Sequence, residues 1–289
     1  MIRTSLPHVH VAALSHAGMS GKENEDRYAV SSFRMSADDP RPAVLAVVAD
    51  GIGGHLAGEI AAELAVNYIT AAVAESSGKK PLKILEAAIH NASQAISSHS
   101  ARHEDESGMG ATCACAWIIE DRLYTAYVGD SRIYLLRGKF IQRLTIDHTW
   151  VQEAYEKGII TAEQMRGHPN QHVIRRHLGG AKLPVVDFRL RIDDSETDEE
   201  SEGNQGFHLE PGDTVLVCSD GLTDLVDDNE IQKVIRSKRD IKEAAEALVN
   251  LANERGGHDN ITVALLSMPK VEDTQTKKHS LIHWLLGEE

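Results

Sequence analysis

"ATCACAWIIEDRLYTAYVGDSRIYLLRGKFIQRL", residues 111–144, is the stretch on which the fold turns. It divides into four strand-like segments, "ATCACAWII", "RLYTAYVGD", "SRIYLLRG" and "KFIQRL", joined by links as short as "ED" and "RG". Links that short predict antiparallel neighbours, because a parallel crossover needs about a dozen residues. Upstream, "HVHVAALSHAG" and "DRYAVSSF" read as strands, and "PAVLAVVAD" is a continuous apolar run, as expected of a strand buried on both faces. Downstream, "DTVLVCSDG" and "NITVALLSM" are further strands. Helices flank this block. Leu56, Ile60, Leu64 and Ile69 recur at helical spacing, and so do Leu85, Ala88, Ile89, Ala92 and Ile96 after Pro81. "NEIQKVIRSK" and "DIKEAAEALVNLANERGG" are later helices, the second stopped by Gly256 and Gly257. The order is not a strict βαβα alternation. It predicts an α+β protein, with one antiparallel sheet or two stacked sheets and helices packed outside.

The bulk numbers fit a soluble globular chain. Its 289 residues are 42% hydrophobic and 26% charged, and aromatics contribute only 4%, so the core rests on Ala, Val, Leu and Ile. The net charge of -14 argues against nucleic acid or an anionic membrane surface as a non-specific partner. No apolar run is read as approaching the roughly 20 residues of a membrane span, and no signal peptide is read at the N-terminus. The three cysteines, Cys113, Cys115 and Cys218, all lie in apolar strand-like runs. Without a framework spacing they predict reduced core thiols and a cytoplasmic setting.

Three segments stand apart. Residues 148–180 read as two short helices and a loop without a strong apolar stripe, a mobile flap. Residues 194–206, "DSETDEESEGNQG", read as a solvated acidic loop. From Pro269 the chain becomes a polar linker, and "HSLIHWLLGEE" carries Leu281, Ile282, Trp284, Leu285 and Leu286, an apolar patch that packs back on the domain or meets a partner.

"VVADGIGGHLAGE", residues 47–59, is a glycine-rich turn between a strand and a helix, the usual setting for a phosphate loop. Gly53 and Gly58 have the P-loop spacing, but Glu59 and Ile60 stand where lysine and a hydroxyl residue are needed. The dinucleotide fingerprint also fails, since Leu56 takes the place of its third glycine. The aspartates are more informative. Asp26, Asp50, Asp130, Asp220 and Asp259 all sit where a strand begins or ends beside small or polar residues. A strand-end aspartate is commonly a turn former. Several at buried strand ends would repel one another unless cations neutralised them, and together they would make an all-oxygen site for Mg²⁺ or Mn²⁺.

The motifs "ENEDRY", "VVADGIGG", "YVGDSRIYLL", "LTIDHTW", "LVCSDGLTD" and "GGHDNITVAL" occur in the order found in the metal-dependent protein phosphatase 2C family, and over residues 11–268 the chain resembles a bacterial member. The resemblance implies two stacked antiparallel sheets flanked by helices on both outer faces, a helical flap, and one catalytic domain over residues 1–268. It also implies a two-metal site for Mn²⁺ or Mg²⁺ at one end of the sandwich. Asp50 would bridge both ions, and the Gly51 carbonyl, Asp220 and Asp259 would complete the shell. Asp26, with Glu25 beside it, would act through ordered waters. Asp130 would hold a third, weaker ion, and Asn260 would orient its neighbour.

The reaction so implied is hydrolysis of phosphoserine or phosphothreonine in proteins, reversing a cognate serine/threonine kinase. A water acidified by two metals attacks phosphorus in line, without a phosphoenzyme. A Cys-x5-Arg loop is absent, with Ile118 five residues beyond Cys113. Two positions depart from the family pattern. Gly21 stands where an arginine often clamps the substrate phosphate, leaving Lys22 as a point-charge substitute or a solvated loop residue. Ile52 stands where many eukaryotic members carry a histidine, and His55 is read as a capping or surface residue. The enzyme is expected to be a monomer. The competing readings are a degenerate phosphoprotein-binding module and a hydrolase of small phosphoesters.

Overall fold

The computed structural model describes residues 1–53 and 56–270, so His55 and the apolar tail around Trp284 lie outside the described residues. The chain opens with β1 (Ile2–Thr4), β2 (His10–His16), β3 (Arg27–Arg34), β4 (Pro42–Ala49) and the short β5 (Gly51–Ile52). Two long helices follow, α1 (Leu56–Glu75) and α2 (Pro81–Ser100). Next come β6 (Gly110–Ala111), β7 (Cys113–Ile119), β8 (Arg122–Val128), β9 (Arg132–Arg137) and β10 (Phe140–Arg143). The short helices α3 (Trp150–Glu156), α4 (Ala162–Met165) and α5 (Asp198–Gly203) lead to β11 (Phe207–His208) and β12 (Thr214–Cys218). Helices α6 (Asp220–Thr223), α7 (Asp228–Ser237) and α8 (Ile241–Glu254) precede the closing β13 (Ile261–Ser267).

Two antiparallel sheets stack face to face. One runs β1-β3-β4-β7-β8-β11 and the other β10-β9-β12-β13-β2, while β5 and β6 pair separately. Strand β4 shows why the apolar runs are continuous. Val44, Ala46 and Val48 face the inter-sheet core with Ala114, Ala116, Val215 and Val217. Leu45, Val47 and Ala49 face outward, onto Ala61, Ala65 and Ile69 of α1 and Leu85 and Ile89 of α2. A strand with both faces covered has no position left for alternation. The second sheet is covered likewise, with Leu216, Cys218, Val263 and Leu265 packed on Leu248 and Val249 of α8. The α+β sandwich with helices on both outer faces is therefore the fold.

The four-strand stretch departs from its expected pairing at one link. Strands β7 and β8 pair, and β9 pairs with β10, but β8 and β9 lie in different sheets. The connection Gly129, Asp130, Ser131 crosses between the sheets instead of turning a hairpin. Gly129 takes a left-handed φ of 108°, and a side chain there would strike Thr112. The crossing carries Asp130 to the sandwich's end.

Two further readings change. The acidic stretch is not a plain solvated loop, since Thr197 and Glu200 cap α5 reciprocally, Ser201 is buried and Gln205 bonds the backbone of Thr125. Helix α1 is, by length and composition, apolar enough to span a membrane, which the sequence reading did not anticipate; half of it is buried here. Its apolar side lies on the first sheet and α2. The three cysteines are free and buried.

Candidate metal centre

Each carboxylate is delivered by a strand terminus. Asp50 follows β4, Asp130 follows β8, Asp220 opens α6 just after β12, Asp26 precedes β3, and Asp259 lies two residues before β13. In the central part of both sheets these ends point the same way, so one end of the sandwich collects them. Asp26 and Asp130 are buried, and Asp50 and Asp220 are half-buried.

The electrostatics show the convergence. Burial first, then the charges of Asp26, Asp220, Asp130 and Asp259, push Asp50 well above the usual carboxylate range. Burial raises Asp26 to about 7, opposed by hydrogen bonds from Ser219 and Thr262 and reinforced by Asp220 and Asp259. Asp130 is raised by burial and by Asp220 and Asp147, against Arg132. The structure thus brings together all five aspartates singled out from the sequence. Asp26 Oδ1, Asp130 Oδ1 and Asp220 Oδ1 are buried with no hydrogen-bond partner among the described residues. Buried carboxylate oxygens without a partner cost several kcal/mol unless a cation meets them. The donor set is all oxygen, which suits hard ions such as Mg²⁺ and Mn²⁺.

The surrounding groups fix this geometry. Ser219 Oγ donates to Asp26 Oδ2 at 2.7 Å and accepts from the Thr262 amide at 3.0 Å. Asn260 accepts from the Glu25 amide at 2.7 Å and donates to the carbonyls of Ala17 and Glu23 at 3.1 Å, while its own amide donates to Asp259 Oδ1 at 2.9 Å. Asn260 thereby ties the Asp26 and Asp259 connections together. Thr112 does the same for Asp50 and Asp130: its Oγ1 accepts from the Asp50 amide at 3.0 Å and meets Ser131 Oγ at 2.8 Å.

The glycines of residues 47–59 have a specific role. A Cβ on Gly51 would collide with the carbonyl of Gly58, and one on Gly58 would collide with the Glu25 carboxylate. Glycine at both positions lets the β5 turn, the first turn of α1 and Glu25 close on one another beside Asp50. Glu59, at the P-loop lysine's place, pairs with Arg27.

Several residues were not anticipated. His172, from the 148–180 segment, places Nδ1 at 3.9 Å from Asp220 Oδ2 and 3.4 Å from Asp224 Oδ2. The Asp220 interaction, then the charges of Asp224, Asp220 and Asp130, outweigh burial and lift His172 to about 9. Burial and Asp220 raise Asp224 to about 6. No spacing signal links His172 to Asp220, because the contact depends on how the segment folds back. Lys22, by contrast, is exposed on the β2–β3 connection. Gly21 adopts a left-handed φ of 77° with open space beside it, a conformation that suits glycine better than arginine.

Residues 15–266 match the family described as protein phosphatase 2C. The serine/threonine phosphatase stp of Listeria monocytogenes serotype 4b is 32% identical over 262 residues, covering 89% of this chain and 95% of that one. The protein phosphatase PhpP of Streptococcus pneumoniae serotype 2 is 35% identical over 224 residues, covering 77% and 85%. Among solved structures, the S. agalactiae serine/threonine phosphatase superposes with a TM-score of 0.78 at 30% identity, covering 90% of this chain and 99% of that one. The catalytic domain of the serine/threonine protein phosphatase PstP, solved with two manganese ions, gives 0.72 at 31% identity, covering 91% and 99%. PstP is known from Mycobacterium tuberculosis.

Proposed function

The chain belongs to the protein phosphatase 2C family and is a metal-dependent serine/threonine phosphatase with a dinuclear centre, and on that premise we propose which of its residues carry the reaction. Asp50, the Gly51 carbonyl, Asp220 and Asp259 hold two Mn²⁺ or Mg²⁺ ions, and Asp130 contributes to a third, weaker site. Asp26 acts from behind, one oxygen fixed by Ser219 and the other left without a hydrogen-bond partner among the described residues. Glu25 and Asn260 hold the connections that aim Asp26 and Asp259. When bound, the ions supply positive charge to the phosphoryl oxygens and acidify the attacking water. The observation that carries this reading is the buried, mutually repelling carboxylate cluster with orphaned oxygens.

The substrates are phosphorylated proteins, released from the mark of a partner serine/threonine kinase. Residues 148–180 form the flap over the centre, and His172 brings a flap nitrogen to Asp220 and Asp224. Lys22 offers a point charge for the substrate phosphate in place of the arginine missing at Gly21. The domain over residues 1–268 acts as a monomer, and its three buried, unpaired thiols support a cytoplasmic setting.

Turnover of a phosphothreonine peptide and of p-nitrophenyl phosphate, with Mn²⁺, with Mg²⁺ and with chelator, tests the assignment. Chelation is expected to abolish both, and Asp220→Asn to abolish turnover with the fold intact. Full activity in Asp220→Asn, or activity after thorough chelation, would remove the proposed centre. Lys22→Ala is expected to raise KM more than it lowers kcat; an unchanged KM removes Lys22 from the substrate site.

A further inference from the structure

At the far end of α2, a second group of metal-ligating side chains stands outside the carboxylate centre. His99 and His103 lie four residues apart, one in the last turn of α2 and the other just beyond it, and Glu106 closes the short 3₁₀ turn Glu104–Glu106 that follows. One ligand atom from each of the three lies within 4.8 Å of the others. His99 Nε2 is 2.6 Å from Glu106 Oε2, and the two imidazoles stack with centroids 4.2 Å apart.

The hydrogen bonds set the state of one ring. His103 Nδ1 lies 2.9 Å from the His99 carbonyl oxygen, which can only accept, so Nδ1 carries the hydrogen and Nε2 is left with its lone pair. That is the arrangement of a ligating histidine whose other nitrogen is fixed by a backbone carbonyl. The chain carrying Glu106 is held by bonds that do not involve the ligand atoms. Its amide donates to the His103 carbonyl at 3.1 Å, and its carbonyl accepts from Ser100 Oγ at 3.2 Å. Ser100 Oγ in turn accepts from the Gly108 amide at 3.1 Å. Donors around a tetrahedral zinc stand about 3.4 Å apart, given Zn–N distances near ~2.1 Å. The 2.6 Å contact between His99 and Glu106 would give way to that wider spacing, and the three ligand atoms already lie within 4.8 Å of one another.

We propose that His99, His103 and Glu106 form a separate three-ligand site for a zinc-class divalent ion, with a fourth position open to water. Two imidazoles and one carboxylate favour Zn²⁺ or Co²⁺ over Mg²⁺ or Mn²⁺, the reverse of the all-oxygen centre. Glu104 and Asp105 add negative charge on the same turn. The turn also continues directly into β6, where Gly110 pairs with Ile52 and Ala111 with Gly51. An ion here would tether the end of α2 to the strand pair next to Asp50.

The test uses the full chain with the carboxylate centre saturated by Mn²⁺. Zinc content after equilibrium dialysis against Zn²⁺ is compared between wild type, His103→Gln and His99→Gln/His103→Gln. The wild type is expected to retain one zinc more than the double variant, with equal manganese, and Co²⁺ to give tetrahedral visible absorption only in the wild type. His103→Gln changes an exposed side chain and is expected to weaken zinc binding at least tenfold while leaving Mn²⁺-dependent turnover unchanged. Amide exchange at Met109 and Gly110 is expected to slow with zinc in the wild type alone. Equal zinc content and affinity in all three proteins, meaning zinc taken only by the carboxylate centre, would overturn the proposal.

Discussion

Two sets of buried or half-buried aspartates in this molecule have opposite surroundings. Asp147, Asp187 and Asp213 each meet an arginine: Arg132 reaches Asp147 at 2.7 Å, Arg137 reaches Asp213 at 2.6 Å, and Arg189 reaches Asp187 at 2.5 Å. Asp50 faces the charges of Asp26, Asp220 and Asp130, Asp26 those of Asp220 and Asp259, and Asp130 those of Asp220 and Asp147. Burial alone would raise the pKa of Asp147, Asp187, Asp26, Asp50 and Asp130. For Asp147 it is outweighed by Arg132 and Arg143, and for Asp187 by hydrogen bonds from His148 and Arg189, so both end below the usual range. For Asp26, Asp50 and Asp130 nothing in the chain outweighs it. The first set is neutralised by the protein itself, and the second is left for a ligand to neutralise. The difference separates carboxylates that hold the fold from the carboxylates proposed to hold ions.

The same substitution applied to each set tests that distinction most strongly. Asp50→Asn is expected to lower kcat on the order of 10³-fold, since it removes a ligand worth several kcal/mol of transition-state stabilisation. It is also expected to raise the melting temperature of the metal-free protein, because one of the repelling charges is gone. Asp147→Asn is expected to do the opposite to stability. It leaves the Arg132 guanidinium, with a side chain only 22% exposed, facing a neutral amide. Breaking one partner of such a pair costs about 3 kcal/mol. Thermal unfolding of both variants with and without Mn²⁺ decides the matter. If both substitutions shift the metal-free melting temperature the same way, the two sets are not different in kind.

The sequence displays one of these sets far better than the other. The aspartates of the proposed metal centre sit next to apolar runs and glycines, so their place at strand ends is legible from "VVADG", "YVGDS" and "VCSDG" alone. Helices α1, α2 and α8 are equally legible, because their apolar stripes have the helical period. What is hidden depends on long-range closure. Asp213 is 76 residues from Arg137, and His172 meets Asp220 only because the 148–180 segment folds back. The crossing at Gly129 was hidden for a different reason. A three-residue link looks like a hairpin turn, and only the left-handed φ of 108° with Thr112 beneath it shows that the chain changes sheets there.

A subtler substitution probes the proposed metal centre without removing a charge. Gly58→Ala lies in the first turn of α1, where alanine favours helix by about 1 kcal/mol on propensity alone. Its methyl group would meet the Glu25 carboxylate and stand 3.0 Å from the Gly51 carbonyl carbon. The expected result is about a tenfold loss of Mn²⁺ affinity, the scale of a disturbed supporting contact, with the fold preserved by circular dichroism. Unchanged Mn²⁺ affinity would mean that the close approach of Gly51, Gly58 and Glu25 has no part in shaping the centre.

The smallest expected effect lies at the arginine-neutralised end, where His148 joins Asp187 to the turn that carries Asp130. His148 Nδ1 accepts from the Gly129 amide at 3.0 Å, so Nε2 holds the hydrogen and donates to Asp187 Oδ2 at 3.0 Å. Burial, chiefly, holds the His148 pKa below its ordinary 6.5, with Arg176 adding to the effect against the pull of Asp187. Below pH 6.5 the unfolded chain therefore binds a proton here that the folded chain does not. Stability from this group is complete above that pH and falls as pH drops toward the folded value. The loss between pH 7 and pH 5.5 is bounded at about 1 kcal/mol. His148→Asn keeps an acceptor for the Gly129 amide but cannot titrate. In Mn²⁺-loaded protein, urea midpoints at the two pH values are expected to fall less for the variant than for the wild type. An equal fall in both would place the acid sensitivity elsewhere and leave His148 as a spacer between the two sets of aspartates.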